Sequence, residues 1–224
     1  MSTAAGTKKG MRRLLAVAVA LVALAAAGAG QAATGQSNAG GGHGSLLGCG
    51  HQATHPFLRW LDPLPYTLLP GGDFESGAAG WKLSGGARIV DGNEPFNVGG
   101  PGGSRSLLLP AGSSATSPTM CMGLVLPVVR YFSTGGNLLS YMRVEAVYTD
   151  ANGRQRSLDL LPPGLPTRSW APSLPALQLM GAINALTLDG LTSQIALRFT
   201  PKGTLFGSGT WRIDDVYVDP WKVV

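Results

Sequence analysis

The stretch of the chain that decides the fold is Leu138–Leu161, which reads LLSYMRVEAVYTDANGRQRSLDLL. Apolar and polar residues alternate through Leu138–Thr149 and again through Gln155–Leu161, which is the period of a half-buried strand. Asp150–Gly153 lies between them and is typical of a tight turn, because Asn and Gly tolerate the left-handed backbone of hairpin turns. The stretch therefore predicts an antiparallel β-hairpin.

The same texture of short strand-like runs separated by turn residues continues along the chain. Further strands are predicted at Ala87–Val90, Ser106–Leu109, Arg130–Ser133, Gln194–Thr200 and Thr210–Val218. The 33 Gly and 16 Pro residues disfavour long helices. Only Ala176–Leu186 is a candidate for a short helix, or else for an irregular apolar crossing. Many short strands at this spacing predict an all-β fold, an antiparallel β-sandwich over residues 57–224.

The alternation also predicts which way the side chains point. In the strand around Tyr141–Tyr148, the even-numbered residues share one face, and Tyr141, Arg143 and Glu145 share the other. In Gln194–Thr200, Ile195, Leu197 and Phe199 are expected in the core, which leaves Arg198 outside. One sheet is thus expected to have a polar outer face, either simply solvated or used to bind a ligand.

Charge is concentrated at the N-terminus. The chain has 17 Lys and Arg against 12 Asp and Glu, a net charge of +5, but four of the basic residues lie in the first 13 positions and no acid precedes Asp62. Without those four, 13 basic residues face 12 acidic ones. A nearly neutral body argues against a nucleic-acid partner.

The N-terminus has the layout of a secretory signal peptide. A basic segment ending at Arg12-Arg13 precedes the apolar run Leu14–Ala27 and small residues up to Ala33. We expect a signal peptide at 1–32, a Gly/Ser-rich linker at 33–56 and a secreted body without stable membrane insertion. A retained membrane anchor, a twin-arginine route, and a lipidated cysteine in Leu46-Leu47-Gly48-Cys49 are the alternatives.

The number and positions of the cysteines and histidines limit which disulfides and which catalytic sites the chain can form. The two cysteines, Cys49 and Cys121, are expected to form a disulfide in an exported chain, with two free thiols as the alternative. Residues 56–224 contain no histidine. That absence argues against a Ser-His-Asp triad, a Cys-His pair and a histidine-bound zinc helix in the body.

Two motifs at the ends of the body resemble those of the jelly-roll carbohydrate-binding modules of secreted glycoside hydrolases. The first is Gly72–Gly77 (GDFESG) with Gly80-Trp81 and, further on, Ser106–Leu109; the second is Trp211–Val218 (WRIDDVYV). The resemblance implies a jelly roll with its first and last strands adjacent. It also implies a structural Ca²⁺ bound by Glu75 and Asp215, with Asp73 and Asp214 in reserve. The alternative is that these carboxylates accept hydrogen bonds from backbone N–H groups.

The resemblance implies a function as well. Tyr141, Arg143, Glu145 and Arg198 form one candidate sugar-binding surface, and Trp170 in a Pro-rich segment is another. The leading hypothesis is a secreted, non-catalytic domain that binds a polysaccharide or a cell-envelope glycan. An envelope structural or protein-interaction domain is the alternative, and a glycoside hydrolase, which needs two facing carboxylates, is the third.

Overall fold

The computed structural model of this chain describes residues 53–123, 128–150, 152–177, 192–204 and 207–219. The predicted signal peptide and Cys49 lie outside these residues, as does the side chain of Cys121, so the disulfide stays a prediction. Of the candidate helix, only Ala176 and Leu177 are described, and they form a strand. Within these ranges no helix has both the length and the hydropathy needed to cross a bilayer.

The described ranges contain thirteen strands and one 3-10 helix at Leu58–Trp60. The strands are β1 Thr67–Leu68, β2 Lys82–Ser84, β3 Arg88–Asp91, β4 Arg105–Leu109, β5 Ser114–Thr116, β6 Met120–Gly123, β7 Val128–Gly135, β8 Ser140–Thr149, β9 Gln155–Asp159, β10 Thr167–Pro172, β11 Ala176–Leu177, β12 Thr192–Gly203 and β13 Trp211–Asp219.

These strands form two antiparallel sheets, which confirms the predicted β-sandwich. The first sheet has the order β10-β7-β13-β4-β3, with β1 beside β13 and β11 beside β7. The second has the order β2-β5-β12-β8-β9, with β6 beside β12. The short first strand β1 pairs with the last strand β13, Thr67 opposite Val218, as the resemblance implied.

The predicted hairpin is confirmed as β8 and β9. The two strands pair from Glu145 opposite Asp159 to Thr149 opposite Gln155. The turn is closed by the Asp150 carboxylate, whose Oδ1 accepts the backbone N–H groups of Asn152 at 3.0 Å and Arg154 at 2.9 Å. An Asp carboxylate that accepts hydrogen bonds from the N–H groups of its own turn stabilises the turn conformation and so fixes the register of the hairpin.

The main core lies between the two sheets, and the predicted inward residues of β8 and β12 are buried in it. Phe74 and Trp81, from the first motif, are also buried, with ring centroids 5.0 Å apart in an edge-to-face contact. The Trp81 indole N–H donates to the Pro70 carbonyl at 3.1 Å, which satisfies the ring's one polar atom. The first motif therefore supplies two large buried aromatic rings to the main core.

A second apolar cluster covers the outer face of the first sheet. The segment 53–66 crosses this face and inserts Phe57, which stacks on Phe132 at 5.5 Å. Arg130 lies over the Phe57 ring at 4.2 Å and forms a 2.6 Å ion pair with Asp62, with both side chains largely buried. The outer face of the first sheet is thus sealed by the protein itself, whereas that of the second sheet carries polar and charged residues.

Candidate functional site

The outer face of the second sheet carries polar side chains in rows across the strands. Directly opposite residues of an antiparallel pair share a face, and the register places five residues in one row from β2 to β9: Lys82, Thr116, Arg198, Glu145 and Asp159. The following positions on β12 and β8 place Thr200 opposite Arg143 and Lys202 opposite Tyr141. We call this set of residues the polar face. The register therefore brings four of the five predicted ligand-binding residues together.

Glu145 is at the centre of the polar face, and its side chain is only 3% exposed. Its carboxylate accepts two hydrogen bonds from Arg198, from Nε and Nη2, both at 2.8 Å, and one from the Ser157 hydroxyl at 2.9 Å. The hydrogen bond from Arg198 is the main cause that holds the pKa of Glu145 below its ordinary value. Because it is covered, Glu145 fixes the arginines in place and is not itself open to a ligand.

The two arginines flank Glu145 and are partly open to solvent. Arg143 donates from Nε to Asp159 Oδ1 at 2.7 Å, and its Nη2 lies 3.4 Å from Glu145 Oε1. Their side chains are 38% exposed for Arg143 and 32% exposed for Arg198. Within the described part of the chain, the bonds of Arg198 use only Nε and Nη2. The arginines therefore present oriented N–H donors outward.

Tyr141 lies at the edge of the polar face, where it is exposed. Together with Arg143, Asp159 and Leu161, it lines a shallow cavity of about 270 Å³. This cavity joins an aromatic ring to charged donors and acceptors, a combination common in small-ligand sites.

Trp170, the other predicted ligand-binding residue, is far from this arrangement. It lies on β10 in the first sheet and packs against the outer apolar cluster. The Arg212 guanidinium lies 5.5 Å from the ring centroid. The structure therefore assigns the ring a packing role and does not bring it to the polar face.

The predicted metal ligands lie together at a different place, a cavity of about 250 Å³ that we call the acidic cavity. Its lining includes Asp73, Glu75, Glu94, Asp214 and Asp215. The register between β13 and β7 shifts between Asp214 and Tyr217, and Asp215 has φ 47°. Such a bulge re-aims a side chain, and here both consecutive carboxylates of β13 line the same cavity.

Several of these carboxylates already hold backbone N–H groups. Asp214 accepts from the N–H of Glu94 at 3.0 Å and of Asp215 at 2.9 Å. Glu94 in turn accepts from Phe96 and from Val98. Glu75 Oε1 accepts from the N–H groups of residues 104 and 105, both at 2.8 Å. For Glu75 and Asp214, and for Asp215 through the N–H of Gly99, the alternative of backbone hydrogen bonding is therefore observed.

The acidic cavity is electrostatically unbalanced. Burial is the main cause that raises the pKa of Asp214 to about 8 and that of Asp215 to about 7, and the charge of Glu94 adds to the shift at Asp215. In the described ranges no ion pair joins a Lys or Arg to Asp214, Asp215 or Glu94. At neutral pH, protons or a bound cation would relieve the repulsion.

The donor chemistry of the acidic cavity fits a hard cation such as Ca²⁺, because every donor is an oxygen. No three Asp, Glu, His or Cys side chains among the described residues form a ready metal-binding group. Backbone N–H groups engage Glu75, Glu94 and Asp214, and Asp215 accepts one such bond, from Gly99. Asp73 and Asp215 are the side chains that would hold the ion. Sequence reasoning missed the buried Glu94, although Asn93, Glu94 and Asn97 in the Gly-rich loop 92–104 offered a signal.

No family model matches this sequence, and no curated protein matches it either. Solved structures with a similar fold include the CBM22-1 xylan-binding domain of Paenibacillus barcinonensis Xyn10C, with 13% identity, a TM-score of 0.45, and coverage of 68% of this chain and 94% of that one. TmCBM61, solved with β-1,4-galactotriose, is 17% identical with a TM-score of 0.38, and the match covers 69% of this chain and 97% of that one. These similarities concern the arrangement of strands and assign no ligand to this chain.

Proposed function

We propose that this chain is a secreted, non-catalytic β-sandwich domain that binds carbohydrate, at the cell envelope or outside the cell, through its polar face. The observation that carries the proposal is the Arg143–Glu145–Arg198 arrangement beside Tyr141 on an open sheet. Sugars are recognised by aromatic faces together with oriented polar groups. The polar face offers both, whereas the outer face of the first sheet is covered by its own chain.

Rigidity is the second argument for the polar face. Ordering a flexible side chain on binding costs about 0.5–1.5 kcal/mol. The ion pairs with Glu145 and Asp159 already hold the two arginines in one geometry. Their outward N–H groups can therefore bond sugar hydroxyls at little additional entropic cost.

The non-catalytic part of the proposal rests on the character of the acidic cavity. A glycosidase needs two carboxylates on either side of a bound sugar. The lining of the acidic cavity is made of Asp, Glu, Asn, Gly and Pro and includes no aromatic side chain among the described residues. Four of its five carboxylates accept hydrogen bonds from backbone N–H groups. These features favour a structural role for the acids.

Binding of the full-length chain to an array of plant, fungal and bacterial polysaccharides tests the proposal. Tyr141→Ala and Arg198→Gln are expected to weaken binding to the recognised glycan. Leu61→Ala, at a side chain 94% exposed on the segment that crosses the other sheet, is the control and should leave binding unchanged. Silence across the whole array would defeat the proposal, and release of reducing sugar from the bound glycan would defeat its non-catalytic part.

A structural Ca²⁺ in the acidic cavity is part of the same proposal. An ion that binds only the folded state at a hundred times its Kd stabilises by about 2.7 kcal/mol, a rise in Tm of about 5–10 °C for a domain of this size. We expect this rise at pH 8 when EDTA is replaced by calcium, and expect Asp215→Asn to abolish it. Asp159→Asn, an acid outside the acidic cavity, should keep it. A Tm indifferent to EDTA would overturn the calcium proposal.

A second candidate function, a protein-interaction domain of the envelope, is favoured by a different observation. Leu138, Leu139, Leu161 and Leu165 are all exposed, and Leu161 shares a cavity with Tyr141. Exposed apolar surface is typical of protein contacts, and Leu161 lies at the edge of the polar face. If the chain is silent on glycans yet retained by isolated envelopes, and if Leu161→Asp releases it while Arg88→Asp does not, the second function holds instead.

A further inference from the structure

We propose that the polar face selects anionic glycans, whose sugar units carry carboxylate or sulfate groups, over neutral ones. This inference rests on the proposed function and adds the chemical class of its ligand. The evidence is the distribution of charge on the polar face.

The polar face has an excess of accessible positive charge. Its cations are Lys82, Arg198, Arg143 and Lys202, against the two anions Glu145 and Asp159. Glu145 is covered by its partners, so Asp159 is the only anion of this set with an open side chain, 48% exposed. In the described part of the chain neither lysine has an ion pair. A ligand therefore meets two ammonium groups without ion pairs and two guanidinium groups on side chains that are about one-third exposed.

The two arginines meet at the Glu145 carboxylate, but the two lysines lie apart from it and from each other by backbone position. Lys82 and Arg198 are in the same row with β5 between their strands, which places their backbones about 10 Å apart at normal strand spacing. Lys202 is four residues beyond Arg198 on β12, about 13 Å along the strand. Arg143 lies on β8 opposite Thr200, between these positions. A band of separated charges matches a polymer with repeated anionic groups better than a single small anion.

Five of the chain's 12 acids are gathered at a different place. Five carboxylates line the acidic cavity, which is formed around β13 of the first sheet and the loop between β3 and β4. This segregation leaves the polar face positive although the body as a whole is nearly neutral. An oppositely charged polymer is then attracted to one face, with a dependence on salt that neutral sugars do not show.

The test measures binding of the full-length chain to three probes at 50 and 500 mM NaCl: polygalacturonate for uronate, dextran sulfate for sulfate, and β-1,4-galactan as the neutral arm. At 50 mM we expect at least one anionic probe to bind at least tenfold tighter than galactan. High salt should remove most of that difference. The arm that binds identifies whether the anion is a carboxylate or a sulfate.

Variants assign the effect to the polar face. Lys82→Gln with Lys202→Gln should weaken the anionic probe about five- to twentyfold, since an exposed charge pair changes an equilibrium constant about two- to fivefold. Arg88→Gln removes an exposed charge from β3 in the other sheet and is the matched control. Equal or tighter binding of galactan, or a lysine double variant that behaves like the Arg88 control, would overturn the inference while leaving carbohydrate binding standing. Binding to none of the probes or to any arrayed glycan would overturn the proposed function as well.

Discussion

Replacement of Glu145 by Gln measures how much the buried carboxylate on the polar face contributes to the free energy of unfolding. Glu145 receives two 2.8 Å bonds from Arg198 and one 2.9 Å bond from Ser157. Breaking a fully buried ion pair costs about 3–5 kcal/mol, but Arg198 remains 32% exposed and regains water. Charge-assisted hydrogen bonds contribute about 1.5–3 kcal/mol, and we therefore expect Glu145→Gln to lower the free energy of unfolding by about 2 kcal/mol.

Urea denaturation at pH 7 measures this loss, and Asp159→Asn is its matched control. Asp159 also pairs with Arg143, at 2.7 Å, but its side chain is 48% exposed. An exposed pair contributes about 0.2–1 kcal/mol, so the control should cost clearly less than the Glu145 variant. Equal losses for the two variants would refute the reasoning, because they would show that Glu145 behaves as a surface ion pair.

The ion pair between Glu145 and Arg198 also predicts that the free energy of unfolding depends on pH. The pKa of Glu145 is held below its ordinary value of 4.5, chiefly by the hydrogen bond from Arg198. A lowered pKa in the folded state means that the stabilisation is complete above pH 4.5 and is lost as the pH falls through the lower folded value. The difference between the parent and Glu145→Gln should accordingly shrink at pH 3, and a difference that stays constant would contradict the assignment.

Three further perturbations test other parts of the molecule. Burial raises the pKa of Asp215 to about 7, so its ionisation destabilises the folded state increasingly as the pH rises from about 4 through 7. In EDTA at pH 8, Asp215→Asn should therefore be more stable than the parent, by up to about 4 kcal/mol in urea denaturation. At pH 5 this difference should be much smaller. Arg130→Met leaves Asp62 without its cation and should cost about 3–5 kcal/mol, with faster amide exchange in residues 53–66. A Cβ on Gly136 would lie 2.5 Å from the indole of Trp211 at φ +80°, so Gly136→Ala should cost roughly 2–4 kcal/mol, whereas Gly153→Ala, with φ +73° and open space around it, should cost only about 1–2 kcal/mol.

Part of the fold could be predicted because its signals are local. The β8–β9 hairpin followed from the alternation on either side of Asp150–Gly153, and the inward residues of β12 followed from the same period of two. The strands that were missed are short or carry polar residues and Pro: β1, β2, β5, β6, β10 and β11. Such segments become strands only when a neighbour supplies the hydrogen bonds, as β12 does for β5.

The candidate sites could also be predicted only where the signal was local in the sequence. Alternation predicted that Tyr141, Arg143 and Glu145 share a face, but nothing in the spacing shows that Arg198, 53 residues further on, covers the Glu145 carboxylate. Trp170 looked available in a Pro-rich segment, yet it packs against the outer apolar cluster. The burial of Glu94 beside Asp214 depends on a loop that folds back from a distant part of the chain.

By itself, the sequence determined the class of fold, the near-neutral charge of the body and the residue types available for binding, because these depend on composition and on short-range periodicity. Only the tertiary structure decided where the charges lie. Strand pairing between distant segments gathered five of the 12 acids into one cavity and placed four basic side chains together on the outer face of the other sheet. Since electrostatic interactions depend on distance and on burial, a net charge close to zero concealed two oppositely charged sites.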